Sequence, residues 1–240
     1  MRLLCQGPVS KRLLQRRKDP TLSRHLRTRR PLALLAAAVA LCSLPVAAPA
    51  AADAPSSHRL VLFDGTHTDG WSQAGPGGFA LGDGAMTSYG GLGLTYYSAR
   101  EFSDYRLTLD WRMSGDDNSG VHLGFPAGDD PAIRNQGFEV QIDATDAPEK
   151  TTGSVYGFQA PDIAARDAAL HPPGEWNTFD LVVTGDRLRV YLNGVKINDF
   201  TDTVVERRLN PGHIGLQNHG DGDEVSFRDI VLTQLPRDDQ

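Results

Sequence analysis

The stretch YRLTLDWRM, residues 105–113, decides the fold class of this 240-residue chain. Large apolar side chains alternate strictly with polar ones along it. One side of the stretch carries Tyr105, Leu107, Leu109, Trp111 and Met113, and the other carries Arg106, Thr108, Asp110 and Arg112. A period of two over this length predicts a β-strand with one face on a core, as is typical of antiparallel sheets.

Beyond this stretch, similar segments separated by turn residues continue along the chain. Asn193-Gly194 is the strongest turn signal and predicts a hairpin between 187–192 and 195–200. Further strands are predicted at 59–63, 79–81, 85–87, 120–125, 137–144, 153–158, 176–184, 213–217 and 224–235, and a short helix at 162–170. So many strands without alternating helices predict one all-β antiparallel sandwich or barrel. Because both ends are apolar, we expect the first and last strands to be neighbours.

Residues 1–52 have the composition of an export signal. Several arginines, ending in Arg29-Arg30, precede an uncharged run at 31–52 that closes with alternating small residues. This order predicts a secretory signal peptide cleaved after Ala50 or Ala52, and the arginine pair also fits a twin-arginine signal. An uncleaved membrane anchor is the alternative, although the prolines and weakly apolar alanines of the run disfavour it.

The predicted organisation is therefore a signal peptide at 1–52, a linker at 53–58, one domain at 59–235 and a tail at 236–240. We expect a secreted or extracytoplasmic protein without stable membrane association after cleavage. Residues 1–50 hold ten of the 24 Lys and Arg but one of the 30 Asp and Glu, so the remainder carries 14 basic and 29 acidic side chains. So acidic a domain should repel nucleic acid and anionic membranes. Both cysteines, Cys5 and Cys42, lie in the signal peptide, which excludes a disulfide, a thiolate nucleophile and a Cys-ligated zinc site from the domain.

The segment GFEVQID, residues 137–143, is the most informative for function. Its period of two directs Glu139, Gln141 and Asp143 to the face opposite the core, with about 7 Å between successive members. Other polar side chains are predicted on similar faces, namely His122 after the turn at 118–120, His213, Gln217 and His219 on one face near 212–220, and Arg112 beside Trp111. An ordinary solvated strand face is the alternative.

Several chemistries can be compared with this set. A retaining β-glucanase needs two nearby carboxylates in the pattern Glu-x-Asp-x-x-Glu, but Gln141 and Ala144 occupy the last two positions. Nothing singles out Ser119 as an activated nucleophile. The side chains of His122, Glu139, Asp143 and His219 are of types that bind metals, although their spacing matches no compact zinc motif. A sugar-binding module would use aromatic rings, for which Trp111, Tyr156, Trp176 and Tyr191 are available.

Taken in order, seven short segments resemble the bacterial family of 3-keto-glycoside lyases and hydratases, also called 3-keto-disaccharide hydrolases. These segments are Leu62-Phe63-Asp64-Gly65 with Gly70-Trp71, Asn118-Ser119-Gly120-Val121, 137–143, Gly153-Ser154-Val155-Tyr156, Glu175-Trp176-Asn177, Tyr191-Leu192-Asn193-Gly194 and 212–220. The resemblance extends from Leu60 to Leu235 and implies a concanavalin-like jelly-roll β-sandwich. Where the family usually has an arginine after Asn-Ser-Gly, this chain has His122-Leu123-Gly124.

The resemblance also implies a reaction on glycosides whose sugar is oxidised at C3. A base removes the C2 proton, the aglycone leaves from C1, and water adds to the resulting 2-hydroxy-glucal. We expect His219 first, then Glu139 or His122, as the base. Substrate binding is expected from Arg112, Asn118, Gln141, Tyr156 and Gln217. A divalent metal held by Asp143, Glu139 and His122 is a further hypothesis.

Two other functions remain open at this level. One is a non-catalytic carbohydrate-binding module on the same fold, and the other is a glycoside hydrolase acting on unoxidised glucan. Fold does not separate them, because function depends on the site. Two histidines, two carboxylates and an arginine on one face favour proton transfer, and therefore an enzyme with a sugar or glycoside substrate.

Overall fold

Residues 58–236 are described by the computed structural model, and the predicted signal peptide and most of the linker and tail lie outside this range. Thirteen strands form within it, namely β1 (Arg59–Phe63), β2 (Trp71–Ala74), β3 (Gly78–Gly82), β4 (Ala85–Tyr89), β5 (Gly93–Tyr97), β6 (Tyr105–Met113), β7 (Asn118–Phe125), β8 (Phe138–Asp143), β9 (Asn177–Thr184), β10 (Arg187–Leu192), β11 (Val195–Thr201), β12 (His213–Asn218) and β13 (Val225–Gln234). Two 3-10 helices, Pro131–Gln136 and Pro148–Lys150, and one α-helix, α1 (Ile163–Ala169), complete the description.

The strands pair antiparallel into two sheets of a jelly-roll sandwich, which confirms the predicted fold class. The eight-stranded sheet has the order β11-β10-β9-β6-β13-β4-β3, and β1 also pairs with β13. The five-stranded sheet has the order β2-β5-β12-β7-β8. Pairing of Arg59 with Thr233 makes the first and last strands neighbours, as predicted. No helix within residues 58–236 has the length and apolar character that crossing a membrane requires.

The core lies between the two sheets. Tyr105 and Trp111 of β6 are fully buried on the inner face of the eight-stranded sheet, and Phe138, Val140 and Ile142 of β8 face them from the other sheet. Burying each large apolar side chain contributes about 1.5–3 kcal/mol. A shift of one residue in strand pairing would expose such a row, so the alternating pattern also sets the register.

The Asn193-Gly194 turn forms as predicted. Both residues have positive φ, +48° and +84°. The side chain of Asn193 accepts a hydrogen bond from the Thr178 backbone N–H at 2.7 Å and donates to the Ala169 carbonyl at 2.8 Å. The turn thereby joins β9 and the end of α1. That helix is also confirmed, and the Asp162 side chain caps it by accepting from the Ala165 N–H at 3.0 Å.

Two features of the chain differ from the sequence analysis. The strand predicted at 153–158 is wrong, because Gly153 and Gly157 adopt positive φ and only Val155 forms isolated bridges. Conversely, β2 and β5 were not predicted. Glycine, serine and glutamine interrupt the alternation of apolar side chains in these two short strands, so they show no clear period of two.

Candidate active site

The outer face of the five-stranded sheet carries a cavity of about 420 Å³. Its floor comes from the adjacent strands β12, β7 and β8, whose polar rows point away from the core. The lining residues are Leu92, Asn118, His122, Arg134, Asn135, Glu139, Gln141, Tyr156, Arg207, Gln217 and His219. Seven of the nine predicted site residues therefore lie together, although they come from distant parts of the chain.

Strand pairing places the Glu139 carboxylate beside an imidazole. Glu139 is directly opposite His122 in register, and Glu139 Oε1 lies 3.3 Å from His122 Nε2. The preceding outward position on β7 is Gly120, where a Cβ atom would lie only 2.7 Å from Glu139 Cγ. Contacts this short would force the Glu139 side chain to move. Glycine at this position therefore leaves the space in which the carboxylate lies.

A chain of amide groups also holds the same carboxylate oxygen, Glu139 Oε1. With the Gln141 amide in the orientation that satisfies its neighbours, its nitrogen donates to Glu139 Oε1 at 3.2 Å and to the Ser119 carbonyl at 3.0 Å, and its oxygen accepts from Asn118 Nδ2 at 3.2 Å. Asn118 Nδ2 also donates to Asp143 Oδ2 at 2.7 Å. Because each group is held by its neighbour, the amides are oriented before any ligand arrives.

Buried polar atoms on this face lack hydrogen-bond partners within residues 58–236. They are both ring nitrogens of His122, whose residue is 3% exposed, and Oε1 of Gln217. The 3.3 Å approach of His122 to Glu139 is close but lacks hydrogen-bond alignment. An unsatisfied buried group costs about 1–3 kcal/mol, and folded proteins retain few of them. Since both side chains line the cavity, a polar ligand is the natural partner for these atoms.

His219 lies at the rim of the cavity, one residue after the end of β12. Its side chain is 53% exposed, and its Nδ1 is 2.9 Å from Asp223 Oδ2. The other carboxylate oxygen, Asp223 Oδ1, accepts from the Asn118 backbone N–H at 3.0 Å. The cavity thus has an accessible imidazole at its rim and a buried one, His122, in its floor.

Two guanidinium groups and an amide that line the cavity were not predicted from the sequence. Arg134 and Asn135 belong to the first 3-10 helix, and Arg207 lies in the segment between β11 and β12. Each arginine donates to a backbone carbonyl, Arg134 to Pro131 at 2.7 Å and Arg207 to Gly137 at 2.8 Å. These segments have no regular side-chain period, so no pattern pointed to them; basic residues in an acidic domain were the one available signal.

Arg112 does not share the face of the other predicted site residues, and that part of the sequence analysis is wrong. Arg112 points outward from the eight-stranded sheet, where its guanidinium lies 4.7 Å from the centre of the Trp176 ring. There it lines a separate cavity together with Arg228 and Glu224. The alternation along β6 identified its outward side correctly, but β6 belongs to the other sheet.

The residues proposed as metal ligands do not form a metal site. Within residues 58–236, no three His, Cys, Asp or Glu side chains are grouped so that they could hold a metal ion. Asp143 is not among the cavity-lining residues, and its carboxylate accepts hydrogen bonds from Asn118 Nδ2 and from the N–H groups of Thr145 and Asp146. These donors give Asp143 a structural role at the end of β8.

The cavity has many proton-transfer and hydrogen-bonding groups but few aromatic surfaces. Among the rings considered as sugar-stacking surfaces, Trp111 is fully buried in the core and Trp176 lies on the other sheet, whereas Tyr156 lines the cavity. Among the described residues that line it, Glu139 is the sole carboxylate. The arrangement can bind a polyhydroxylated ligand and transfer protons, but it lacks a second carboxylate for double-displacement chemistry.

Comparison with known proteins identifies a family and similar folds. A family model described as the 3-keto-alpha-glucoside-1,2-lyase-like domain matches residues 59–233. A candidate glycosyl hydrolase from Parabacteroides distasonis has 21% sequence identity and a TM-score of 0.64, covering 74% of this chain and 94% of that one. A second structure of this description from the same organism has 25% identity and a TM-score of 0.57, covering 74% and 84%.

A carbohydrate-binding module from Bacillus subtilis is similar in fold. It has 16% identity and a TM-score of 0.50, covering 69% of this chain and 96% of that module. Among curated protein sequences, no significant match is found. At this level of identity, the module shares the sandwich architecture with this chain and nothing about its site follows.

Proposed function

The chain belongs to the family of 3-keto-alpha-glucoside-1,2-lyase-like domains, and from this premise we propose that it is a carbohydrate-active enzyme that cleaves 3-keto-glycosides by β-elimination. The observation that carries the proposal is the composition of the cavity. Among its described lining residues it has one carboxylate, Glu139, with two histidines and several amides. Ordinary glycoside hydrolysis uses two carboxylates on either side of the scissile bond. Elimination needs a base and an acid, which histidine can supply.

The reaction balances without an oxidant or a nucleophilic carboxylate. A base takes the C2 proton, which the C3 ketone makes acidic, and the electron pair forms an enolate with the C3 oxygen. As the ketone re-forms, a C1–C2 double bond forms, the bond from C1 to the glycosidic oxygen breaks, and the leaving oxygen receives a proton. Addition of water across the double bond, with hydroxyl at C1 and hydrogen at C2, gives the free 3-keto-sugar.

His219 is the proposed base for the C2 proton, because it combines access to solvent with a place on the cavity rim. Glu139 and His122, which lie 3.3 Å apart on the floor, are proposed to deliver the proton to the leaving oxygen and to activate water in the hydration step. Proton transfer by such groups contributes about 10²–10⁴-fold to a rate.

The remaining lining residues bind and polarise the sugar in this proposal. Asn118, Gln141 and Gln217 offer amide groups to the hydroxyls, and Gln217 Oε1 is free to accept from one of them. Arg134 and Arg207, anchored through backbone carbonyls, offer their remaining N–H donors to the developing enolate oxygen. Donors placed where negative charge develops lower the barrier most effectively in a site that excludes water.

The test compares matched substrates. Purified protein is incubated with a nitrophenyl glucoside and a glucose disaccharide, each in its parent and its 3-keto form. We expect aglycone release from the 3-keto forms alone, with exchange of the C2 hydrogen in deuterated water. Equal turnover of parent and 3-keto forms would show a conventional hydrolase, and binding without turnover of either would show a recognition module.

Variants connect that reaction to this cavity. His219→Ala and Glu139→Gln should each lower turnover of the 3-keto form about 10²–10⁴-fold. Arg112→Ala is the matched control, because Arg112 lies on the outer face of the other sheet, and its turnover should equal that of the unmodified protein. Loss of activity in Arg112→Ala equal to that in His219→Ala would place the reaction elsewhere.

We also propose that the protein acts outside the cytoplasm. The basis is the arginine-rich and then alanine-rich sequence at 1–52, typical of a cleaved signal peptide. N-terminal sequencing of the exported protein should begin at Ala51 or Asp53. Recovery of the exported protein with Met1 or Arg2 at its start would contradict cleavage.

A further inference from the structure

We propose that Asp223 is a positioning residue that fixes the tautomer of His219, so that Nε2 is the atom that accepts the proton. This inference rests on the proposed function for its catalytic consequence but not for its structural part. Asp223 Oδ2 lies 2.9 Å from His219 Nδ1. An ionised carboxylate can only accept hydrogen bonds, so Nδ1 must carry the proton of the neutral ring. The lone pair of the imidazole is then at Nε2.

Asp223 is held by two strands, β7 and β4. Its Oδ1 accepts from the Asn118 N–H at the start of β7 at 3.0 Å, and its backbone carbonyl accepts from Ser88 Oγ of β4 at 2.9 Å. Ser88 Oγ also accepts from the Val225 N–H at 2.9 Å, where β13 begins. Asp223 is therefore anchored to both sheets, through its carboxylate to β7 and through its backbone carbonyl to β4, and its side chain is only 19% exposed.

The backbone next to His219 is also held in place, at the start of the loop between β12 and β13. It follows Asn218, which is buried and whose Nδ2 donates to the carbonyls of Gly78, Tyr89 and Gly90. The four-residue separation of His219 and Asp223 closes a tight loop between β12 and β13, in which Gly222 has φ +101°. Asn218 and Asp223 thus hold the two ends of this loop, and the contact with Asp223 fixes the orientation of the half-exposed His219 ring.

An isosteric substitution separates this role from simple anchoring. In Asp223→Asn, the amide oxygen can still accept from the Asn118 N–H, while the amide nitrogen faces His219 Nδ1 as a donor. The neutral ring should then carry its proton on Nε2, and the basic atom would be Nδ1, which faces the side chain at position 223. Asp117→Asn is the matched control, because Asp117 anchors the same region through the N–H groups of Ser114, Gly115 and Glu224. Asp117 makes no hydrogen bond to His219.

The experiment first determines which ring nitrogen of His219 carries the proton and then measures the rate of turnover. Nitrogen-15 NMR of the unmodified protein at neutral pH should show His219 protonated at Nδ1, and Asp223→Asn should show it protonated at Nε2. With a 3-keto glucoside, kcat of Asp223→Asn should fall about 100-fold or more, with KM changed less than about 3-fold. Asp117→Asn should retain kcat within about 3-fold even if it unfolds at a lower temperature.

The outcomes distinguish this inference from the proposed function. Protonation of His219 at Nε2 in the unmodified protein would overturn the inference without any variant. A switch of tautomer in Asp223→Asn with unchanged kcat would also overturn it, since the base would not be His219 Nε2. Protonation at Nδ1 in a protein that turns over no 3-keto-glycoside would support the tautomer assignment while rejecting the proposed function.

Discussion

The outer faces of the two sheets differ in how their polar side chains are partnered, although one buried atom on the eight-stranded sheet, Arg189 Nε, also lacks a hydrogen-bond partner within residues 58–236. On the eight-stranded sheet, charges are paired across strands, as in Arg187 with Asp199, where Nε and Oδ1 are 2.6 Å apart. Arg106 pairs with Asp180 in the same manner. On the five-stranded sheet, His122 and Gln217 are buried with polar atoms unpartnered by residues 58–236.

This difference separates stability from function within one fold. Paired, exposed charges contribute little to the free energy of unfolding, about 0–1 kcal/mol for each pair, and their removal should not change the enzymatic activity. Unsatisfied buried groups cost stability, and a bound ligand can complete those that line a cavity.

Removing the proton-transfer capacity of the cavity should have the largest effect. Glu139→Gln keeps the shape of the side chain but cannot accept a proton, so turnover of a 3-keto-glycoside should fall about 10²–10⁴-fold. The matched change on the other sheet, Asp180→Asn, breaks the pair with Arg106 and should leave turnover unchanged. Steady-state kinetics of both variants measure this, and comparable losses would remove the functional contrast between the two faces.

Filling the space at Gly120 should be the next largest effect. Gly120→Ala introduces a Cβ within 2.8 Å of both Cγ and Cδ of Glu139, which forces the carboxylate out of place. We expect at least a 10-fold loss of turnover and a loss of about 1–3 kcal/mol in the free energy of unfolding.

Gly82→Ala on β3 is the control for that change, because nothing lies within 4 Å of the new Cβ. Its turnover and unfolding free energy should stay close to those of the unmodified protein. Urea unfolding and steady-state kinetics of both variants test this expectation. An unaffected Gly120→Ala variant would show that turnover does not require the Glu139 carboxylate at its present position beside Gly120.

Opposite signs of stability change are expected for Gln217 and Arg228. Gln217→Met removes the unpartnered Oε1 with little change of shape and should raise the free energy of unfolding by about 1 kcal/mol, while weakening sugar binding. Arg228→Met removes the ion pair with Asp110 and the contact of the guanidinium with the Trp176 ring, whose centre is 4.0 Å away. This change should lower the free energy of unfolding by about 0.5–1 kcal/mol. Thermal unfolding measures the stability of both variants, and ligand titration measures their sugar binding. Destabilisation by Gln217→Met would show that Gln217 Oε1 has a hydrogen-bond partner within the fold.

The smallest effect is expected from pH acting on the eight-stranded sheet. Hydrogen bonds from Arg187 and Lys196 hold the pKa of Asp199 well below its ordinary value. A lowered pKa in the folded state adds stability above the unfolded-state value of about 3.9, and this contribution is lost as the pH falls below it. Urea unfolding between pH 2 and pH 6 should therefore show a slightly shallower acid decline for Asp199→Asn, and an identical decline would mean that the pairing adds nothing.

Much of the candidate site followed from the sequence because it lies on strands. The period of two identified the outward side of Glu139, Gln141 and His122, and antiparallel pairing then brought β7 and β8 together. The predicted strand at 153–158 failed because positive φ at two glycines interrupts it, although Tyr156 still lines the cavity.

The sequence by itself determined which side chains leave the core, since steric rules of the extended chain act between immediate neighbours. It also determined the hairpin at Asn193-Gly194, where local backbone preferences suffice. Only the tertiary structure decided which outward faces meet. Arg112 lies on the wrong sheet for the cavity, whereas Arg207 and Asp223 reach the site or its rim from irregular segments. Sheet order depends on burying the whole core at once, and no local pattern carries that information.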